Sequence, residues 1–131
     1  MSGAIRALQA RCGIAAGAKG FHDDRPKPLR AGATVGGLKE RQNALANWQG
    51  NKLMLIVSEV AEAQDELRKG HTADYTYYQE NGKPEGVPSE LADVVIRVLD
   101  FCYTEGIDLE SIIEEKLAFN ATRERLHGKS F

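Results

Sequence analysis

The chain has 131 residues, which is about the usual length of one domain, so we expect a single core. Hydrophobic residues make up 42% of the chain and charged residues 27%, a globular composition that argues against a disordered tail or a membrane protein. The formal net charge is -2, so no overall positive field favours nucleic acid or an anionic membrane as a partner. Any anionic ligand must therefore meet local positive charge.

The cysteine content and the first residues bear on the compartment. Cys12 and Cys102 lie in stretches of helical pattern, so we expect no disulfide framework and a reducing environment. The N-terminal stretch is interrupted by Arg6 and Arg11 and contains no sustained apolar segment, so we expect no signal peptide. No window reaches the ~18 to 20 apolar residues of a membrane-spanning helix. These features predict a cytoplasmic protein.

The chain divides into two unequal parts that we expect to form one domain. Residues 1–37 contain a predicted helix from Ile5 to Ala18 and then a loop rich in Gly and Pro. Residues 38–131 contain the remaining helices and form the expected functional core. The N-terminal helix and loop are expected to pack on that core.

Three further helices are predicted. The first runs from Leu38 to Lys69 with a possible break at Gly50, the second from the N-cap Ser89 to Thr104, and the third from the N-cap Asp108 to about Arg125. Apolar residues at spacings of three and four predict a stripe facing the core on each helix. The stripes comprise Leu53, Ile56, Val57, Val60, Ala63 and Leu67, then Leu91, Val94, Val95, Val98, Leu99 and Cys102, then Leu109, Ile112, Ile113 and Leu117. With no strand alternation and short connections, the pattern indicates an all-α antiparallel bundle of four to five helices.

Two acidic pairs occur on successive predicted helices. Glu59 and Glu62 are three residues apart, and Glu90 and Asp93 repeat this spacing, so each pair lies on one helix face. Four such charges repel one another unless a cation neutralises them, and hard oxygen ligands suit Mg²⁺, with Mn²⁺ as a possible substitute. Either pair alone is also typical of a solvated acidic face. A di-iron bundle is disfavoured, because its Glu-x-x-His motifs do not accompany these pairs.

A polar stripe on the last predicted helix offers positive charge. Lys116, Asn120 and Arg123 fall at i, i+4 and i+7, a spacing that suits phosphate oxygens, and Lys129 follows in the tail. Basic residues near a helix C-terminus also compensate the helix dipole, so this alternative stays open.

Aromatic residues are candidates for base recognition. Trp48 is the candidate that we carry forward, because an aromatic face can stack on a base. Further candidates are Phe21, His22, Tyr75, Tyr77 and Tyr78. His22, Asp23 and Asp24 are also possible metal contacts. Ordinary packing is the alternative for each.

Several of these motifs resemble one family. The segments Glu59-Val-Ala-Glu62, Glu90-Leu-Ala-Asp93, Lys116-x-x-x-Asn120-x-x-Arg123 and His127-Gly128-Lys129 are similar in order and spacing to those of MazG-like nucleoside triphosphate pyrophosphohydrolases. The resemblance covers roughly residues 38–131. It implies an all-α fold, a homodimer or dimer of dimers, and hydrolysis of a nucleoside or deoxynucleoside triphosphate to the monophosphate and pyrophosphate.

The resemblance also implies roles for individual residues. The four acidic residues would be magnesium ligands, with Glu59 or Glu62 as the first candidates for the general base. The basic stripe and Lys129 would bind the phosphates.

One position departs from the family pattern. Ser58 stands where the family usually has the first of two adjacent glutamates, which puts a second metal in doubt. Glu66, one turn beyond Glu62, either replaces some of that charge or faces solvent. Two other functions remain open: a regulatory nucleotide-binding module without turnover, and a helical protein-interaction domain.

Overall fold

The computed structural model describes residues 3–125 and is mostly helical. Its helices are α1 (Ala4–Ala18), α2 (Val35–Arg68), α3 (Val87–Glu105) and α4 (Leu109–Ala121). A small antiparallel hairpin, β1 (Tyr77–Tyr78) with β2 (Pro84–Glu85), precedes α3. The predicted all-α class is therefore confirmed, whereas the absence of strands was wrong. Two-residue strands are too short to show an alternating pattern.

Local side-chain chemistry sets the helix starts. Thr34 accepts a hydrogen bond from the Gly37 N–H at 3.0 Å, so α2 begins three residues before the predicted start. Asp108 caps α4 as predicted, accepting from the Ser111 N–H at 3.2 Å. The α2 helix continues without a break through Gly50.

The start of α3 differs from the prediction because the hairpin determines it. Gly86, not Ser89, is the N-cap, and the Ser89 hydroxyl instead donates to the Pro84 carbonyl at 3.0 Å. Gly86 has a φ of 109°, and a Cβ at this position would lie 2.3 Å from the Tyr75 carbonyl oxygen. Only glycine tolerates both conditions, so the hairpin is fixed closely against the first turn of α3.

The helix α3 lies between α1 and α2, and α4 packs chiefly against α1 rather than along α3. A buried carboxylate joins α4 to α1: Glu110 accepts from the backbone N–H groups of Gly3 at 2.8 Å and Ile5 at 3.0 Å, and from Arg6 Nη1 at 2.6 Å. Burial by itself would raise the pKa of Glu110, but these donors hold it below its ordinary value. This contact holds α4 against α1 and not against α2.

The core of a single chain is small. Its buried apolar residues are Cys12, Trp48, Ala63, Val87, Leu99 and Cys102, and both cysteines are free thiols, as predicted. Much of the predicted core-facing pattern is exposed. This holds for Leu53, Val57, Val60 and Leu67 of α2, for Leu91 and Val95 of α3, and for Ile112 and Leu117 of α4. In residues 3–125 no helix combines the length and the apolar character needed to cross a membrane.

Candidate metal centre and adjoining cavity

Three carboxylates converge where α2 packs against α3. Glu59 comes from α2, while Glu90 and Asp93 are one turn apart on α3, and one oxygen of each lies within 4.8 Å of the others. Local helix geometry explains the pairing of Glu90 with Asp93. The packing of the two helices adds Glu59, so this acidic triad is a tertiary feature.

Burial and charge make the acidic triad costly without a cation. Glu59 is 7% exposed and Glu90 is 8% exposed. Burial, together with the neighbouring carboxylates of Glu59 and Glu62, raises the pKa of Glu90 to about 7. The pKa of Asp93 is raised as well, first by burial and then by Glu59. Such a cluster opposes folding of the metal-free chain and favours a bound cation.

Two basic side chains offset part of this charge. Arg97, one turn after Asp93 on α3, donates from Nε to Glu59 Oε1 at 2.8 Å. Lys83, in the hairpin turn, acts on Asp93 and Glu90 through its charge. Neither was predicted from the sequence, although the position of Arg97 four residues after Asp93 was a usable signal.

Glu62 lies beside the triad rather than within it. Its side chain is exposed, and it is close enough to Glu90 to raise the pKa of that carboxyl. It lines a separate shallow pocket of about 400 Å³ together with Glu90. The structure therefore brings all four predicted carboxylates together, with Glu62 on the solvent side.

The donor set fits magnesium. Oxygen ligands 2.0 to 2.1 Å from one Mg²⁺ are at most about 4.2 Å apart, so oxygens that all lie within 4.8 Å of one another need only small side-chain rotations to bind it. The triad offers oxygen alone, without the imidazole or thiolate ligands that zinc prefers. Mn²⁺ fits the same donors.

A cavity of about 780 Å³ adjoins the acidic triad, and Glu59 and Asp93 form part of its wall. Asp93, Arg97, Asp100 and Thr104 also line it, and they follow one another at successive turns of α3. The cavity therefore extends about 16 Å along this helix, at 1.5 Å per residue. Its other walls include the aromatic residues Phe21, Trp48 and Phe101 and the basic residues Arg11, Lys19 and Lys52.

Trp48 lies in the cavity wall, in a fixed orientation. Its indole Nε1 donates to Asp24 Oδ1 at 2.9 Å, and Lys52 Nζ lies 5.1 Å from the ring centroid. Asp24 therefore pairs with Trp48, and His22 pairs with Asp100, since His22 Nε2 lies 2.6 Å from Asp100 Oδ1. Neither side chain is part of the acidic triad, and a metal contact from this loop stays a prediction.

The predicted phosphate-binding stripe lies apart from both the acidic triad and the cavity. Lys116 and Asn120 are on α4, and Arg123 follows its end with its guanidinium carbon 5.8 Å from the Phe119 ring. Within the described part of the chain, no hydrogen bond or ion pair joins these residues to the triad, and none of them lines the cavity. Their role stays a prediction, and Lys129 lies outside the described residues.

Ser58 and Glu66 lie outside the acidic triad. The exposed Ser58 hydroxyl donates to the Leu55 carbonyl at 2.6 Å, so it turns back onto its own helix. Glu66 neither faces solvent nor joins the triad: it is 3% exposed, with His71 Nδ1 at 2.5 Å and Tyr77 OH at 3.0 Å. The hydrogen bond with His71 contributes most to lowering the pKa of Glu66, and the one from Tyr77 acts in the same direction.

Two of the three tyrosines considered for base stacking, Tyr75 and Tyr77, lie in a cluster with His71 and Glu66, whereas Tyr78 is exposed. Tyr75 and Tyr77 stack with ring centroids 5.5 Å apart, and both contact the edge or face of His71. They hold the hairpin to the end of α2 and do not line the cavity.

Comparison with protein-family models, curated proteins and solved structures finds no match to this chain.

Proposed function

We propose that the protein hydrolyses nucleoside or deoxynucleoside triphosphates to the monophosphate and pyrophosphate in a magnesium-dependent reaction. The observation that supports this function is the opening of a magnesium-compatible acidic triad onto a cavity with aromatic and basic walls. The cavity volume of about 780 Å³ falls within the usual range for a small-molecule site. The resemblance of the acidic and basic motifs to MazG-like enzymes points to the same reaction.

The chain supplies the groups that this chemistry needs. Magnesium held by Glu59, Glu90 and Asp93 would neutralise and orient the triphosphate. Arg97 positions Glu59 through its hydrogen bond of 2.8 Å. Lys19 and Lys52 in the cavity wall provide the local positive charge that the net charge of -2 does not.

Glu62 is the better of the two predicted general bases. Glu59 is buried, and Arg97 already donates to its Oε1 at 2.8 Å, so little of this carboxylate is open to a water molecule. Glu62 is exposed beside Glu90, so it has room to accept a proton from a water molecule near the metal. No protein nucleophile is needed for this hydrolysis.

The protein is also proposed to form a homodimer or a dimer of dimers. The accessible surface of the chain is 9716 Å², compared with about 6,800 Å² expected for a monomer of this mass. Leu53, Val57, Val60 and Leu67 form a half-exposed apolar stripe along α2, as expected for a face that a second copy covers. In such an assembly, the basic stripe of α4 is available to a neighbouring chain.

Light scattering at micromolar concentration tests this assembly. We expect a mass two or four times the chain mass of 14.4 kDa. Val57→Asp together with Val60→Asp should shift the mass towards one chain, because the buried stripe would then contain unpaired charges. A wild-type mass of 14.4 kDa would rule out the assembly.

A pyrophosphate-release screen across natural and modified nucleoside triphosphates, with and without magnesium, tests the reaction itself. Release of pyrophosphate that depends on magnesium is the expected result. Thermal stabilisation by nucleotide and magnesium without release would instead indicate a regulatory nucleotide-binding module. If neither stabilisation nor pyrophosphate release is observed, the result would indicate a protein-interaction domain.

A further inference from the structure

We infer that the cavity selects bases that carry an exocyclic amino group, with Asp100 as the acceptor for that group. The inference rests on the proposed function, since it places the triphosphate at the acidic triad and the base further along the same cavity. Cytosine, adenine and guanine have such an amino group, whereas uracil, thymine and hypoxanthine have none.

The position of Asp100 along α3 suits a base-recognition group. Asp93 of the triad and Asp100 both line the cavity, and they lie seven residues apart on one helix face. Two turns correspond to about 10.5 Å along the axis. A nucleoside bound with its phosphates at Asp93 has a comparable length, so its base would reach Asp100.

Asp100 retains one carboxylate oxygen for a ligand. Its Oδ1 lies 2.6 Å from His22 Nε2, which fixes the carboxylate, while no hydrogen bond among the described residues engages Oδ2. The Thr104 hydroxyl donates to the Asp100 backbone carbonyl at 2.9 Å and lies 3.1 Å from the same His22 nitrogen. Thr104 is therefore occupied, and this region of the wall offers an acceptor to the ligand.

The neighbouring side chains complete a base site. Phe101 and Trp48 line the same cavity and provide flat apolar surfaces, and Trp48 is held by Asp24. Arg11 lines the cavity from α1 and offers donors for the ring nitrogen or carbonyl next to an amino group. An amino group donates to Oδ2, whereas the carbonyl oxygen of uracil at the same position would face a carboxylate, and two acceptors repel.

Matched substrate pairs test the inference. The pairs dCTP with dUTP, and dATP with dITP, each differ at the position that carries the amino group. We expect kcat/KM to be at least about tenfold higher for the amino-bearing member of each pair. Equal values, or a preference for dUTP and dITP, would overturn the inference.

Two variants separate base recognition from support of the loop. Asp100→Asn replaces one acceptor oxygen by a donor, so the dCTP to dUTP ratio should fall to about one or below, while magnesium-dependent hydrolysis of the better substrate persists. His22→Gln removes the loop contact but keeps the carboxylate, and it should retain the preference. An unchanged ratio in Asp100→Asn, or equal losses of preference in both variants, would assign Asp100 a purely structural role.

Binding of non-hydrolysable α,β-imido analogues of dCTP and dUTP, measured by thermal shift with magnesium, keeps the two proposals distinguishable. Tighter binding of the dCTP analogue without turnover of any nucleotide would refute the proposed reaction and support the base preference. Turnover without discrimination would support the reaction and refute the preference. Absence of binding by both analogues, together with absence of turnover of every nucleotide, would refute both.

Discussion

Replacing Glu90 by Gln is expected to reduce magnesium-dependent pyrophosphate release at least about a hundredfold while raising the melting temperature of the metal-free protein. Glu90 contributes one of the three converging oxygens, and its pKa is raised to about 7 by burial, Glu59 and Glu62. Glutamine has nearly the same shape and can donate to its acidic neighbours. The variant therefore loses a metal ligand and relieves a repulsion at once.

The pH dependence of stability has a definite sign at this site. With its pKa raised from 4.5 to about 7, Glu90 keeps its proton in the folded chain at pH values where the unfolded chain has released it. The metal-free wild type should therefore lose stability as the pH rises from about 4.5 through 7, and Glu90→Gln should lose less. Thermal unfolding at pH 5.5 and pH 8, with and without magnesium, measures both effects.

Asp65→Asn is the matched control for this variant. Asp65 is an exposed residue of α2 whose partner is Arg68 at 3.3 Å, so its loss should leave activity and melting temperature close to the wild type. Magnesium should raise the melting temperature of this control and of the wild type, but not that of Glu90→Gln. Retained turnover in Glu90→Gln would show that Glu90 is not a metal ligand. A lower melting temperature of this variant would indicate that Glu90 has a structural role.

Gly13→Ala is expected to destabilise the protein by about 3 kcal/mol, the upper part of the range for overpacking. An added Cβ would lie 2.1 Å from ring carbons of Tyr103 and 2.7 Å from its Cβ, so α1 and α3 would have to separate. Because these two helices form walls of the cavity, activity should fall as well. Denaturant unfolding followed by circular dichroism measures the loss.

Gly50→Ala should have the opposite effect. Gly50 lies within α2, and a Cβ there meets no atom within 4 Å, so alanine should stabilise the helix by about 0.5 to 1 kcal/mol. Comparable destabilisation by both substitutions would show that helix packing at Gly13 is not the cause. A neutral effect of Gly13→Ala would mean that Tyr103 moves aside at little cost.

The helices were largely predictable because their signals are local. The spacing of apolar residues indicated α2, α3 and α4, and Asp108 marked the start of α4 through a bond to a residue three positions away. The start of α3 was missed because Gly86 is held by contact with Tyr75, which no local rule describes.

The acidic site was predictable in part for the same reason. Spacing placed Glu59 with Glu62, and Glu90 with Asp93, on helix faces. It could not show that Glu59 joins the α3 pair while Glu62 stays exposed, since this depends on the rotation of α2 against α3.

By itself, then, the sequence determined the helices and the faces on which their acidic and basic residues lie. Only the tertiary structure decided that Arg97 neutralises Glu59, that a cavity with Asp100 and Trp48 adjoins the triad, and that α4 packs on α1. It also left the apolar stripe of α2 exposed. The physical reason is that periodicity records which residues share a face, whereas the neighbour that covers that face depends on long-range packing.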